Sequence, residues 1–389
     1  MSVLKATRRS ILGGMAAMTA AAQTSAKADS PVSINVVDVA GNLALTQPAF
    51  EAFRRANPQL VSRIAFNQAP APELPAKLRA QQGAGRVDID LVLTGTDALA
   101  AGVEQKLWTP ILTNFASALP NPEKIYAPQA LKMQSLAQNA GLCVSFCPAG
   151  PLLEYAPERV SQVPKTIQDL LAWCQAHPKR FLYARPANSG PGRAFLMGLP
   201  YLLGDSDPHD PEHGWDKTWS FLQELGKTIE YYPSGTGALF KEFGEGSRDM
   251  TVTMTGWDIN PRALGVVPKS AEVASLAGFH FVSDAHYMCV PQGVAEAKMP
   301  VLLQLMSFLL TPPQQAVTYD KGYFYPGPAV RDVTLAMAPQ ASQDVIHEFG
   351  RPFYDKLIAD TPMEVPLDAR KMVYAFQRWD QQVGSKGAN

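Results

Sequence analysis

A chain of 389 residues, 46% of them hydrophobic and 18% charged, exceeds one ordinary domain and has the composition of a soluble globular protein with two cores to bury. Its formal charge of −1, with no basic cluster interleaved with aromatics, excludes the electrostatic footprint of a nucleic-acid or anionic-membrane partner.

The first 28 residues read as an export leader, not as fold. Thr7, Arg8, Arg9, Ser10, Ile11 and Leu12 form a twin-arginine pattern, an Ala- and Met-rich run follows, and Ala26 and Ala28 stand at the spacing of a signal-peptidase site. Cleavage before Asp29 is expected. The run is too short and small-sided for a membrane span, and no cysteine precedes Cys143 to carry a lipid, so the mature protein is expected free in the periplasm. Twin-arginine export carries folded proteins, often with a cofactor, but no motif for one is present and none is expected; fast cytoplasmic folding is the simpler reason for the route. The periplasm permits disulfides. Cys143 and Cys147, if on one strand, lie roughly 13 Å apart, beyond bonding reach. Cys143 and Cys289 fall on two segments able to be neighbours, against a default of buried free thiols for these two, Cys147 and Cys174.

From Val32 the pattern alternates strand and helix. Ser33–Val39 is a buried strand punctuated by Gly41 and Asn42; Thr46, Pro48, Phe50 and Phe53 mark a helix stopped at Asn57 and Pro58; Arg63–Asn67 is a second strand and Glu73–Gln82 a second helix. Ile89–Leu93 is a third strand running into Thr94, Gly95, Thr96 and Asp97, which cap the next helix. This order predicts a mostly parallel, doubly wound sheet whose ligands bind beyond the carboxyl ends of the strands, so Asp38 to Asn42 and Thr94 to Asp97 belong to the candidate site, with Asp38, Asn42, Thr94 and Thr96 singled out. Ala140–Pro148 (AGLCVSFCP) is a short apolar strand ending at a proline, and Ser283–Pro291 (SDAHYMCVP) has the same character roughly 140 residues later. Two such strands are expected as the crossings between two lobes.

Between them the architecture repeats. Thr166 caps an amphipathic helix, Phe181–Ala184 is a strand, and the glycine-rich turn Arg185–Arg193 opens a helix to Leu203. Asp216–Gly226 is a helix, Ile229–Tyr232 a strand, Ser234–Gly237 a turn into the helix Ala238–Phe243, and Thr251–Thr255 a strand ending in Gly256, Trp257 and Asp258. After the return crossing come helices over Val301–Leu310 and Gln314–Tyr319, the run Asp320–Pro328 (DKGYFYPGP), and a helical remainder ending in an amphipathic segment, Asp368–Val383. The expected division is 29–139 plus 285–330 for the first lobe, 140–284 for the second, and 331–389 as C-terminal helices packed on the lobes.

The return strand YMCVP, the helix VLLQLMSFLLTPPQQA and the run GYFYPGPAV, with AFEAFRRANP and DIDLVLTGTDAL earlier, resemble in order and spacing the bacterial extracellular solute-binding proteins of ABC importers. The match is to the type II periplasmic class that includes polyamine, thiamine and sugar receptors. That resemblance implies an α/β fold of two lobes joined by crossing strands, capture of a small-molecule solute in the cleft, and delivery to a cognate membrane permease by a monomer.

Two chemistries compete for the cleft. Ser189 and Gly190 stand where a helix N-terminus faces it, suited to a carboxylate or phosphate with Arg185 and Arg193 assisting; Ser234 and Thr236 repeat the pattern more weakly. The plain alternative is an N-cap with surface arginines. Trp257 and Asp258, with Asp284 and Tyr287 on the return crossing, make an aromatic and carboxylate box suited to an ammonium group, as the polyamine receptors use; the plain alternative is a core tryptophan and an exposed aspartate. Tyr323 and Tyr325, with Phe324 between them, add wall, though consecutive residues cannot all face one way. A cationic amine is the first expectation and an anion the second.

The loop Asp205–His213 holds two histidines four apart, but Pro208 and Pro211 oppose the helix that would align them, so a solvated acidic loop is expected and no metal. Catalytic signatures are absent: no nucleophile elbow, zinc-protease helix, phosphate loop or dinucleotide fingerprint occurs. Asp258 and Asp284 as a glycosidase pair have no support in their surroundings. An exported enzyme on the same scaffold, or a ligand-sensing partner of a membrane receptor, are the competing classes.

Overall fold

Two mixed sheets carry the described residues, 30–385, of the computed structural model; the expected leader and its cleavage point lie outside them. The first sheet holds β1 (Val32–Asp38), β2 (Val61–Gln68), β3 (Leu91–Thr94), β4 (Leu142–Gly150), β9 (Phe281–Cys289) and β10 (Met363–Glu364); the second holds β5 (Leu152–Tyr155), β6 (Phe181–Leu182), β7 (Met250–Thr253) and β8 (Glu272–Ala274).

In the first sheet β2, β1 and β3 are parallel and joined through helices Leu43–Ala56 and Leu74–Gly83. β9 runs antiparallel to β3, and β4 runs antiparallel along the other edge of β9. The two proline-terminated runs are thus adjacent strands, and both are buried along their full length. Register sets Cys143 opposite Tyr287, not Cys289, and all four cysteines are buried free thiols.

The second sheet runs β6-β7-β5-β8 and departs from the mostly parallel expectation: only β6 and β7 are parallel. β5 follows β4 with Pro151 alone between them, so no helical crossover sets it parallel to its neighbours. Ile229–Tyr232 is not a strand. It buries Ile229 and Tyr232 and passes into the helix Thr236–Gly244 without joining a sheet.

Local chemistry fixes the helix starts that matter. Thr166 accepts from the Asp169 N–H at 3.1 Å while the Asp169 carboxylate accepts from the Thr166 N–H at 3.0 Å, a reciprocal cap for Ile167–Ala176. Ser189 accepts from the Gly192 N–H at 3.2 Å and starts Gly190–Leu203, which ends at Gly204 with φ 64°.

One core gathers the first sheet, the helix Met299–Leu309, Ala329 and Val330; a second gathers β5 to β7, the helices over 167–244 and residues 367–383. The last helix, Ala369–Trp379, is integral to that second core, with Trp379 Nε1 donating to Tyr183 Oη at 3.0 Å. No described helix is long and apolar enough to cross a membrane.

Candidate functional site

A cavity of about 320 Å³ lies between the two sheets, lined by Val39–Gly41, Gly95 and Asp97 from the first and by Asn188–Gly190, Arg193, Gly235–Gly237, Met254 and Trp257 from the second. Asp284 and His286 on β9, with Tyr323 and Phe324, close it. Four helices begin at its wall: Leu43–Ala56, Thr96–Glu104, Gly190–Leu203 and Thr236–Gly244. Three of them follow the carboxyl ends of β1, β3 and β6, as the β-turn-α order expected from the sequence requires, and the fourth follows the irregular segment after Ile229.

Two turns owe their shape to glycine. Gly41 has φ 75°, and a Cβ there would lie 2.2 Å from Tyr323 Oη; Gly256 has φ 99°, and a Cβ there would lie 2.6 Å from the backbone of Tyr323 and Tyr325. Together they let the 320–328 run close over the cavity and set the ring of Trp257 in its wall. That ring stacks on Phe240 at 5.4 Å and tilts against Tyr323 at 5.2 Å.

Of the residues singled out in the sequence, Ser189, Gly190, Arg193, Thr236, Trp257, Asp284, Tyr323 and Phe324 line the cavity. Asp38 does not: it is buried behind the turn it organises, accepting from the N–H groups of Ala40, Asn42 and Leu43 at 2.9, 3.1 and 2.8 Å. Burial pushes its carboxyl up against those bonds. Asn42 sits beneath, donating to Ser145 and His286 and accepting from Thr46 Oγ1. Thr94 turns its hydroxyl to the Gly95 carbonyl, and Thr96 donates to Asp284 Oδ1 at 3.0 Å, so both act behind the wall. Tyr287 points the other way along β9 from Asp284 and His286, because successive strand residues face opposite sides. Its hydroxyl donates to the Met133 carbonyl in the first core. Asp258 is wholly buried away from the cavity, bonded to Arg262, Arg351 and Tyr354. Tyr325 turns away to stack near Tyr354, whereas Phe324 stacks on His286 at 4.1 Å. Arg185 is engaged with Asp380 at 2.9 Å and lies over Trp379, outside the cavity.

Asp97, Arg193 and His286 form the polar centre. Arg193 Nη1 donates to Asp97 at 2.9 Å and Nη2 to Asp284 at 2.6 Å, all three side chains being nearly inaccessible. Burial pushes Asp97 up against the opposing pull of Arg193. His286 is held neutral, its pKa lowered to about 4, first by burial, with Arg193 adding to it against Asp284. Its tautomer follows from its neighbour. The Asn42 carbonyl oxygen accepts from Thr46, so the Asn42 amide nitrogen faces His286 Nδ1 at 2.9 Å and donates to it, leaving the proton on Nε2. A histidine two residues from an aspartate on a buried strand is the signal in the sequence for His286, and it needs the strand's facing to be known. Among the described residues no group of three or more metal-ligating side chains assembles, and Asp205, Asp207 and Asp210 of the Asp205–His213 loop accept from N–H groups of the loop and of the helix after it.

Residues 49–347 match a family model described as bacterial extracellular solute-binding protein. No curated protein matches the sequence significantly. Among solved structures, the periplasmic binding protein AfuA of Actinobacillus pleuropneumoniae, with fructose-6-phosphate bound, superposes with a TM-score of 0.66 at 15% identity over 90% of this chain and 98% of its own. A putative spermidine/putrescine ABC transporter protein of Listeria monocytogenes gives 0.62 at 14% over 90% and 98%. The apo ferric ion-binding protein A of Pasteurella haemolytica gives 0.62 at 13% over 92% and 99%. At such identities the likeness is one of fold.

Proposed function

We propose that this chain, which belongs to the bacterial extracellular solute-binding protein family, captures a small anionic solute, a carboxylate or phosphate, between its lobes and delivers it to the permease of an ABC importer. We take the lobes as 29–139 plus 285–330 and 140–284, with 331–389 packed on them. The observation that carries the anion is the convergence of helix starts on one cavity.

A helix start presents N–H groups without intrahelical acceptors and about half a positive charge. Asp38 already caps the first of the four. The other three contribute about +1.5, against −1 from Asp97, Asp284 and Arg193 together. Glycines at 95, 190, 235 and 237 leave the backbone open to close approach. The amine expected first from the sequence drops to second: Asp258 and Tyr287 are committed elsewhere, which leaves Trp257 and Tyr323 as its aromatic wall and Asp97 and Asp284 as its acids. Fructose-6-phosphate and spermidine/putrescine, named for the two superposed proteins, are examples of either class.

Thermal unfolding and calorimetry of residues 29–389 against carboxylates, phosphate esters, amines, amino acids and sugars test the reading. Saturation at about a hundred times Kd raises stability by about 2.7 kcal/mol. Binding confined to anions, and weakened at least about tenfold in Trp257→Ala, supports the proposal. Binding confined to amines moves the solute class to the second reading, and turnover of a bound compound moves the protein to the enzyme class.

A further inference from the structure

Arg193 stands between two acids that are held in different ways. Asp284 lies on β9, where Oδ1 accepts from the Thr96 hydroxyl at 3.0 Å and the Ala285 N–H at 2.9 Å, while Oδ2 takes Arg193 Nη2. It is fixed from three sides. Asp97 lies in the first turn of the helix after β3, and beside Arg193 Nη1 it has only the N–H of its neighbour Ala98, at 2.7 Å.

The two pairs also sit differently with respect to the lobes. Asp284 lies on β9, taken as one of the two strands that cross between the lobes, and bonds to Thr96 of the first lobe as well as to Arg193 of the second. Asp97 belongs to the first lobe, and the Asp97–Arg193 bond spans the cavity wall from one lobe to the other. One guanidinium nitrogen of Arg193 is thus held by an acid with two further donors, and the other by an acid with one.

We propose that Asp97 is a built-in counter-ion of Arg193 whose place an anionic solute takes. The proposal rests on the anion reading above. In the empty cleft the Asp97–Arg193 pair draws the lobes together; in the loaded cleft the solute's carboxylate or phosphate holds Nη1 and Asp97 keeps only the helix start and the Ala98 N–H. The exchange sets a threshold: an anion is captured only if it satisfies Arg193 better than a carboxylate already in position. A bidentate carboxylate or a phosphate meets that demand, and a weakly coordinating monoanion such as chloride does not.

The test titrates wild type and Asp97→Asn, with Asp97→Ser as a second variant, using succinate, a hexose phosphate and spermidine, and records small-angle scattering of the ligand-free proteins. The expected result is that both variants bind an anionic probe about tenfold more tightly than wild type, gain nothing for spermidine, and are more open when empty. Wild type that binds an anion while the variants bind it equally or more weakly overturns the exchange and leaves the anion reading standing. Failure of every anionic probe on all three proteins overturns both, and spermidine binding to wild type that is lost in the variants makes Asp97 a direct ligand of a cation.

Discussion

Two buried clusters of aspartate and arginine, one around Asp258 and one around Arg193, are built to opposite rules. Around Asp258 one carboxylate serves two guanidinium groups and a hydroxyl: Arg351 Nη2 and Tyr354 Oη each donate at 2.8 Å, Arg262 Nη2 at 3.2 Å, and Arg351 Nη1 reaches on to Glu272 at 3.0 Å. Packing surrounds it, and the carboxylate's acceptor positions are taken. Around Arg193 one guanidinium serves two carboxylates and borders open volume. The first cluster joins the turn after β7 to the segment 349–354 and has nothing left to offer a ligand. The second keeps N–H donors in hand. Buried charge alone therefore does not mark a site; unspent bonding capacity beside a cavity does.

The largest effect expected from breaking this contrast is on stability. Asp258→Ala leaves the buried Arg262 guanidinium without a carboxylate and Arg351 with Glu272 alone, and costs about 3–5 kcal/mol in urea unfolding, while solute affinity of the folded protein stays within about twofold. Lost affinity without lost stability would return Asp258 to the site. The next effect is pH-dependent. Neutral His286 stabilises the fold fully above pH 6.5, the ordinary imidazole value, and that contribution is lost as pH falls towards about 4, where the folded form takes up its proton. It amounts to order 3 kcal/mol over the window. Asp38 and Asp97, pushed up by burial, act in the opposite sense. The measurement is therefore the difference between wild type and His286→Gln, whose unfolding curve should lose the slope. The smallest effect belongs to an exposed pair: Arg185→Ala, which breaks the bridge to Asp380, should cost less than about 1 kcal/mol and leave affinity unchanged.

The crossing strands were legible because a buried run that stops at a proline advertises itself locally, and Thr166 and Ser189 were legible because a cap is a matter of three residues. The site was legible only where local order decides it. Asp97 and Asp258 both follow a strand and a glycine turn, and their opposite fates depend on Arg193 and Arg351, about a hundred residues away. Asp284 and Tyr287 differ by strand parity, which needs the burial direction of β9 first. Tyr323 and Tyr325 part because Gly41 admits one hydroxyl and Tyr354 receives the other ring. The second sheet misled because period and composition do not state direction when a strand follows another without a helix between.

The place of Ala369–Trp379 in the second core bears on how the protein is made. A ribosome releases the chain from its N-terminus, and the first core is unfinished until Val330 has emerged, the second until Val383. β5, the helices over 167–244 and the aromatic stack of Tyr183 and Tyr232 wait, with apolar surface uncovered, for Trp379. A route that threads the growing chain across a membrane would carry two half-built cores, whereas release of a complete, already folded chain hands over both at once.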